Sequence, residues 1–528
     1  MTTELKKILL FCLGFILLYN LFFFKVSLGL GFVIIIIFLN TYFFFIKEKS
    51  EKNIPFALLN SFLGVLFSFL FAYRGNEVVR FFDFLLSGTL TINALFLYRA
   101  KEEFKVNILD YLLLPLQVFV GSIQGLGEMG KQSHEKSETK SVVNASYIRG
   151  VVIAVPLFLI LLALLSNADP IFGKFTGDIF SSLGDRVLFC LGFVKATVQK
   201  NEIVEHGAPA GKIHELSLIL GSIIVLFTSF IVIQFRYLFT GVSERELAQV
   251  GVKSLTYSQY VNQGFFELLV VGAISSIVLV YVIHSIHKLH SGEKVLTQIL
   301  GGLLGFETWL ILLSDFKRLS LYAGAHGLTR ARVFGFIFLV WLTLYLLLLL
   351  WQMLQKLTKE MIFLSLFTIT ITILLLTNIF NIDSVIATQY VPMVNGEVDY
   401  FYTAGLSVDA SASWKTTIIV MNQQITDLEK VQNLSADDSR KIYWINSTLD
   451  ELKSSVSNLK HSYSPENFRW QSMNVSEFIA YQTILQNQDT FQALNNIAER
   501  GKALDTRISP EVRSNTSLDR STNPPLSQ

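Results

Sequence analysis

Glu307 lies in the stretch LGFETWLILLSD (304–315), inside an apolar run from Val295 to Leu313 that is long enough to cross a bilayer. It is 12 residues from one end of the run and 6 from the other, so a helix puts it within ~5 Å of the midpoint. A carboxyl at that depth costs roughly 2.5–3.5 kcal/mol on insertion scales and characteristically faces the bundle interior with a partner. Gly301 and Gly305 form G-x-x-x-G on the same run, a spacing that lets a second helix approach closely. Glu307 is about 200° around the helix from Gly305. One face can therefore pack tightly while the other aims the carboxyl at a helix or a cavity.

Other charged residues fall on the same half of the membrane. Glu267 is three residues into the preceding span, which one short connection makes antiparallel to the first. The segment after Leu313 supplies Asp315, Lys317, Arg318, Tyr322 and His326; Arg330 and Arg332 open the next span, and Arg236 closes an earlier one. Glu307, Glu267, Asp315, Arg318, Arg330, Arg332 and Arg236 form the candidate intramembrane polar site. Three chemistries are open to it: a protonated, purely structural carboxyl among interfacial arginine anchors; coupling to an ion or proton, or binding of a polar ligand; and catalysis.

His284, His287 and His290 recur every third residue between two spans, and neutral imidazoles bind zinc. No acid or cysteine stands beside them to complete a ligand set, so interfacial histidines on a connector are the plainer account. GLGEMG (125–130) matches G-x-G-x-x-G, but that fingerprint needs a preceding strand and a following helix. Here it leads into the polar stretch KQSHEKSETK and reads as a loop. Asp169 and Pro170 end the fifth span, where proline stops a helix. Cys12 and Cys190 stand alone, which implies neither a disulfide framework nor a cysteine metal site. No P-loop, H-E-x-x-H or G-x-S-x-G occurs, and no cofactor is expected.

The elements that must position these residues are membrane helices. The 528 residues are 52% hydrophobic and 16% charged, against about a quarter charged in soluble domains. Ten spans are expected at 8–24, 28–46, 56–72, 84–98, 148–166, 216–238, 264–283, 295–313, 333–351 and 361–380. Residues 108–126, interrupted by Asp110, Pro115 and Gln117, read as an interfacial or re-entrant helix. The fold class is all-α: a polytopic transmembrane helix bundle of 10–11 spans with a C-terminal soluble helical module.

Lys6, Lys7, Lys47, Lys49, Lys52 and the loop from Arg99 to Arg149 fall on one side, which the positive-inside rule makes cytoplasmic, together with the N-terminus. The segment VLFCLGFVKATV (187–198) leaves the second half open. If it crosses, there are eleven spans and the tail lies outside; otherwise there are ten and the tail is cytoplasmic. No lysine or arginine occurs between Met361 and Trp414, which favours a tail outside.

The division expected along the chain is an N-terminal transmembrane region with a basic loop (1–149), a transmembrane core (150–380), a soluble helical module (381–501) and a disordered end (502–528). In the module, Ile418, Met421, Ile425, Leu428 and Val431 form one stripe, and Ile442, Ile445, Leu449, Leu452, Val456 and Leu459 a second. Three-four spacing of this kind predicts two amphipathic helices that bury a face against each other. SADD (435–438) predicts a capped turn between them, and a third helix is expected over 476–498.

The segments SNADPIFGKF (166–175), RYLFTG (236–241), YSQYVNQGFFELLVVGA (257–273), SLYAGAHGLTRARVF (320–334), NIDSVIATQY (381–390) and DYFYTAGLSVDA (399–410) together resemble a bacterial membrane-protein family. It is the one catalogued as domain of unknown function 4173, close to number 4153. The likeness covers roughly 150–410. It implies a bacterial cytoplasmic membrane and a span after ADPIF, and it brings no established activity.

Two function classes follow: a non-enzymatic sensing or organising protein with a helical interaction tail, or an ion-coupled transporter or permease-like protein using the intramembrane carboxylate. An enzyme acting on lipid-linked substrates ranks third. The expected partners are membrane lipid and a protein bound through residues 400–500. No basic cluster with interleaved aromatics points to nucleic acid.

Overall fold

The computed structural model describes residues 3–22, 27–41, 53–99, 111, 146–169, 172–177, 211–238, 264–286, 289, 291–355, 358–394 and 396–508. Among the described residues, ten helices make up the apolar part: α1 (Thr3–Phe22), α2 (Leu30–Thr41), α3 (Ile54–Tyr73), α4 (Glu77–Arg99), α5 (Ser146–Ala168), α6 (Gly211–Leu238), α7 (Phe265–Ile286), α8 (Ser291–His326), α9 (Arg330–Gln355) and α10 (Lys359–Ile379). Six follow: α11 (Ile382–Thr388), α12 (Tyr400–Ala404), α13 (Trp414–Glu429), α14 (Ala436–Ser462), α15 (Val475–Gln486) and α16 (Gln488–Thr506). A two-residue hairpin, β1 (Met393–Val394) and β2 (Glu397–Val398), turns through Gly396 at φ +82°.

Among the described residues, seven helices (α3, α4 and α6 to α10) are long and apolar enough to cross a membrane. α1, α2 and α5 are apolar over shorter described stretches. The chain is an all-helical, multi-pass membrane protein. Lipid offers no hydrogen-bond partner, so a spanning backbone must satisfy itself as helix. Buried hydroxyls follow the same rule: Ser275, Ser276 and Thr308 each donate to the carbonyl four residues back, at 2.7–2.8 Å. The outward faces carry apolar side chains such as Val225, Ile277 and Ile299, while the polar residues turn inward.

The chain divides into two compact units. The first comprises Met1–Gln132, His326–Arg330 and Leu374–Gln528; the second comprises Ser133–Ala325 and Ala331–Ile373.

In the second unit α8 is the central element. A Cβ on Gly301 or Gly305 would come within 2.5 Å of Met353 or Leu350 of α9, and both glycines also face α7 through Val282 and Leu279. Gly272 of α7 meets Leu312, so pairings 272–312, 279–305 and 282–301 make α7 and α8 antiparallel. α6 runs parallel to α8: Thr228 and Gln234 meet Glu307 and Ser314 in the same order. α5 packs on α6 and α7, and its end is fixed by Phe172 against Phe230, ring centroids 5.1 Å apart. One apolar core, including Leu161, Leu220, Phe227, Leu268, Ile311 and Leu346, joins these helices.

In the first unit α3 and α4 form a hairpin turning at Arg74–Asn76, with α2 packed on both. The C-terminal helices α13, α14 and α16 close around Trp414, Ile425, Leu449, Leu452 and Leu494, all nearly inaccessible. The two sequence stripes are therefore spent inside this core. The SADD turn is a full capping box: Ser435 and Asp438 exchange side-chain and backbone hydrogen bonds. A single third helix was expected over 476–498; the structure has two, α15 and α16, separated at Asn487. The Asn487 amide and its own N–H both donate to the Thr483 carbonyl, a local bond that ends the first helix. α16 then runs on to Thr506, and Ile508 beyond it is buried.

Candidate functional site

Each unit contains a buried polar centre, and the two differ in how fully their hydrogen bonds are met.

The centre of the first unit forms around the α3–α4 turn. Asp409 accepts the backbone N–H of Gly75 and of Asn76, each at 3.0 Å. Asn76 donates from its amide to Asp383 at 2.9 Å while its carbonyl oxygen caps α4 through Val78 and Val79. Asp383 also accepts from Arg330 Nε at 2.9 Å and Nη2 at 2.5 Å, and from the Ser407 N–H and hydroxyl. Burial alone would raise the Asp383 carboxyl, but the hydrogen bonds and charge of Arg330, with Ser407, hold it below the ordinary carboxylate range. Arg74 donates to the Asn378 and Ile379 carbonyls, and Asn378 donates to Asp83 at 2.8 Å. Every oxygen of Asp383 and Asp409 is engaged. Asp83 Oδ2 and Asn378 Oδ1, at the edge of the network, have no partner among the described residues. The fully bonded pair of carboxylates at its centre holds the α3–α4 turn through Gly75 and Asn76 and fixes it against Ser407 and Arg330.

The centre of the second unit runs along α8. Glu307 is 5% exposed; its Oε1 accepts the Thr228 hydroxyl of α6 at 2.6 Å, and its Oε2 has no partner among the described residues. Seven residues on, Ser314 donates to Gln234 Oε1 at 2.8 Å, and Gln234 Nε2 is likewise unmet. Asp315 is wholly inaccessible, with neither oxygen hydrogen-bonded. Arg318, also wholly inaccessible, donates to Asp169 Oδ2 at 2.8 Å and to the Ala168 carbonyl at 3.0 Å. At 100° and 1.5 Å per residue, positions 307, 314, 315 and 318 lie on one side of the helix over roughly 16 Å of its length. Unmet donors and acceptors in a dry interior are costly, so this stripe stands out as the candidate site.

Of the residues singled out in the sequence, the structure groups Glu307, Asp315 and Arg318 on this stripe. Glu267, on α7, is an electrostatic neighbour of Asp315. Glu307 finds its partner in Thr228, a residue the sequence did not single out. Arg332 sets its guanidinium over the Tyr322 ring at 4.2 Å, and Arg330 belongs to the first unit, paired with Asp383. His284 is exposed at the end of α7. The Arg236 side chain, His287, His290, the GLGEMG loop and the segment 187–198 lie outside the described residues. The sequence also passed over Asp383 and Asp409 as functional positions. Asp169 does more than stop a span: its Oδ1 accepts the Phe172 N–H at 3.1 Å while its Oδ2 binds Arg318.

The chain matches domain of unknown function 4153 (DUF4153) over residues 61–415, about two thirds of its length. It belongs to that family. This is the neighbour of the number 4173 that the segments suggested, and the match begins much earlier, inside α3. Both polar centres fall within the DUF4153 region, whereas α14, α15 and α16 lie beyond it. Neither a curated protein nor a solved structure matches the chain.

Proposed function

We propose that this DUF4153 protein is an ion-coupled membrane protein that binds and releases a proton within its second unit, with Glu307 as the working carboxyl. The observation that carries this reading is the half-satisfied Glu307: one oxygen on Thr228, the other unmet, near the middle of a membrane-length helix. Ser314, Gln234 and Asp315 continue the polar row toward the end of α8. Intramembrane acids in such rows form proton relays. A sensing or organising role exercised through the tail is less well served, because the tail's apolar stripes are buried in its own core.

The reading includes an orientation. The basic loops flank α2, α3 and α4 on one face, which the positive-inside rule makes cytoplasmic. The tail engages the opposite ends of these helices. Leu30 N–H donates to Met473, Asn474 donates to the Arg74 carbonyl, and Ser476 donates to the Tyr73 carbonyl. That contact favours a tail outside the cell. Within the second unit α5 ends at the level of Arg318 and Phe230, and α6 runs parallel to α8. That arrangement supports the reading with eleven crossings and an extracytoplasmic tail.

The test is proton entry into vesicles holding the purified full-length protein and a pH dye, driven by a potassium diffusion potential. Wild-type vesicles should acidify faster than protein-free ones. Glu307→Gln keeps an acceptor for Thr228 but cannot exchange a proton, and should slow entry about a hundredfold or more, the order expected on losing a positioned proton-transfer group. Equal rates for wild type and variant would overturn the assignment.

A further inference from the structure

Beyond Glu307, the polar row of the second unit ends in a buried charged group formed by Asp315, Arg318 and Asp169. Arg318 and Asp169 form an inaccessible ion pair at 2.8 Å, with a second bond from Arg318 to the Ala168 carbonyl at 3.0 Å. Together they tie the end of α5 to α8. Asp315 is one turn before Arg318 on the same side of α8, at the i, i+3 spacing where side chains meet. Among the described residues Arg318 faces it from its own helix and Glu267 from α7; Ser314, the residue before it on α8, is bonded to Gln234 of α6; and Asp169 at the end of α5 already holds the guanidinium.

Asp315 thus lies near a guanidinium that is already bonded to Asp169, in a dry interior. Ionised, Asp315 would be a buried charge with no hydrogen bond to either oxygen among the described residues, and Glu267 would add repulsion. Burying an unpaired charge is far costlier than burying a neutral acid. The absence of any hydrogen bond to either Asp315 oxygen fits the neutral form.

We propose that Asp315 holds a proton while Arg318 is locked onto Asp169, and that release of this proton draws Arg318 to Asp315 and frees the end of α5 from α8. The inference rests on the proton-binding reading of the second unit and adds the movement that binding controls. The step balances: one O–H bond of Asp315 breaks, the proton passes to water, the electron pair stays on the carboxylate, and the guanidinium exchanges one carboxylate for another.

Infrared spectroscopy of the full-length protein in lipid nanodiscs at neutral pH, with aspartate carbon-13 labelled at the carboxyl, tests this. Wild type minus Asp315→Asn should show the loss of one protonated aspartyl band. Asp169→Asn should lose the same band, since Arg318 is then available to Asp315, which ionises. A band unchanged in Asp315→Asn, or retained in Asp169→Asn, would overturn the exchange. Should Asp169→Asn fail to assemble, amide hydrogen exchange at residues 165–169 decides the point. Corrected for intrinsic rates, protection there should fall as pH rises in wild type and stay constant in Asp315→Asn; the same trend in both overturns it. Labelling glutamate instead reports Glu307 separately, so failure of the Asp315 step and failure of the Glu307 reading are told apart.

Discussion

Asp383 grips both arms of the Arg330 guanidinium, at 2.9 and 2.5 Å, and so fastens the short first-unit segment His326–Arg330 to α11. The Asp383 side chain is wholly buried and that of Arg330 is 26% exposed. The same carboxylate holds Asn76 of the α3–α4 turn, 307 residues away in sequence. Three distant stretches of the first unit meet on one acid.

Asp383→Asn should therefore destabilise the first unit by about 3–5 kcal/mol, the range for breaking a buried pair from one side. The pH dependence carries a sign. Arg330 holds the Asp383 carboxyl below its usual range in the folded state, so the stability it contributes is fully present above the unfolded value, roughly 4. It is lost as pH falls through the folded value. Tryptophan-monitored thermal unfolding in detergent should show the wild-type midpoint dropping more steeply than that of Asp383→Asn below about pH 4. Parallel curves would mean the pair contributes nothing.

How much of this was legible follows from where each signal sits. Glu307 stood out because it interrupts an otherwise apolar run, and the G-x-x-x-G face opposite it is read directly from spacing. Its partner Thr228 gave no sign, since threonine is common in membrane helices and ordinarily bonds its own backbone, as Thr308 does. Asp383 and Asp409 were hidden for another reason: both lie in polar stretches after the last span, where an acid is unremarkable. Only the fold reveals that they are buried against Asn76 and Gly75. The tail stripes were legible as amphipathic period, but the break at Asn487 was not, because a single side-chain bond to Thr483 decides it.

The orientation yields a second prediction. Ser457 is exposed on α14, in the C-terminal region whose residues 473–476 bond the ends of α2 and α3 away from the basic loops. With Cys12 and Cys190 replaced by serine, Ser457→Cys should react with a membrane-impermeant maleimide in intact cells as completely as in permeabilised ones. Labelling only after permeabilisation would put the tail inside and return the count to ten spans.

A third prediction concerns the joint at which α7 begins. Gly264 adopts φ +93°, and a Cβ there would lie 2.1 Å from the Ala168 carbonyl oxygen at the end of α5. Both the backbone conformation and the space exclude a side chain, and relief would require moving the residues next to Asp169, which Arg318 holds. A non-glycine residue in a left-handed conformation costs of order 1–3 kcal/mol before any clash is counted. Gly302 provides the control: it lies within α8, and a Cβ there would meet nothing within 4 Å. Alanine at an open helical site is better than glycine by about 1 kcal/mol. Gly264→Ala should thus lower the thermal midpoint by several degrees, at roughly 2–4 °C per kcal/mol for a unit of this size. Gly302→Ala should leave the midpoint unchanged or raise it. If the two variants unfold at the same temperature, the α5–α7 joint is not tight, and the close approach of α7 to Ala168 plays no part in holding the second unit together.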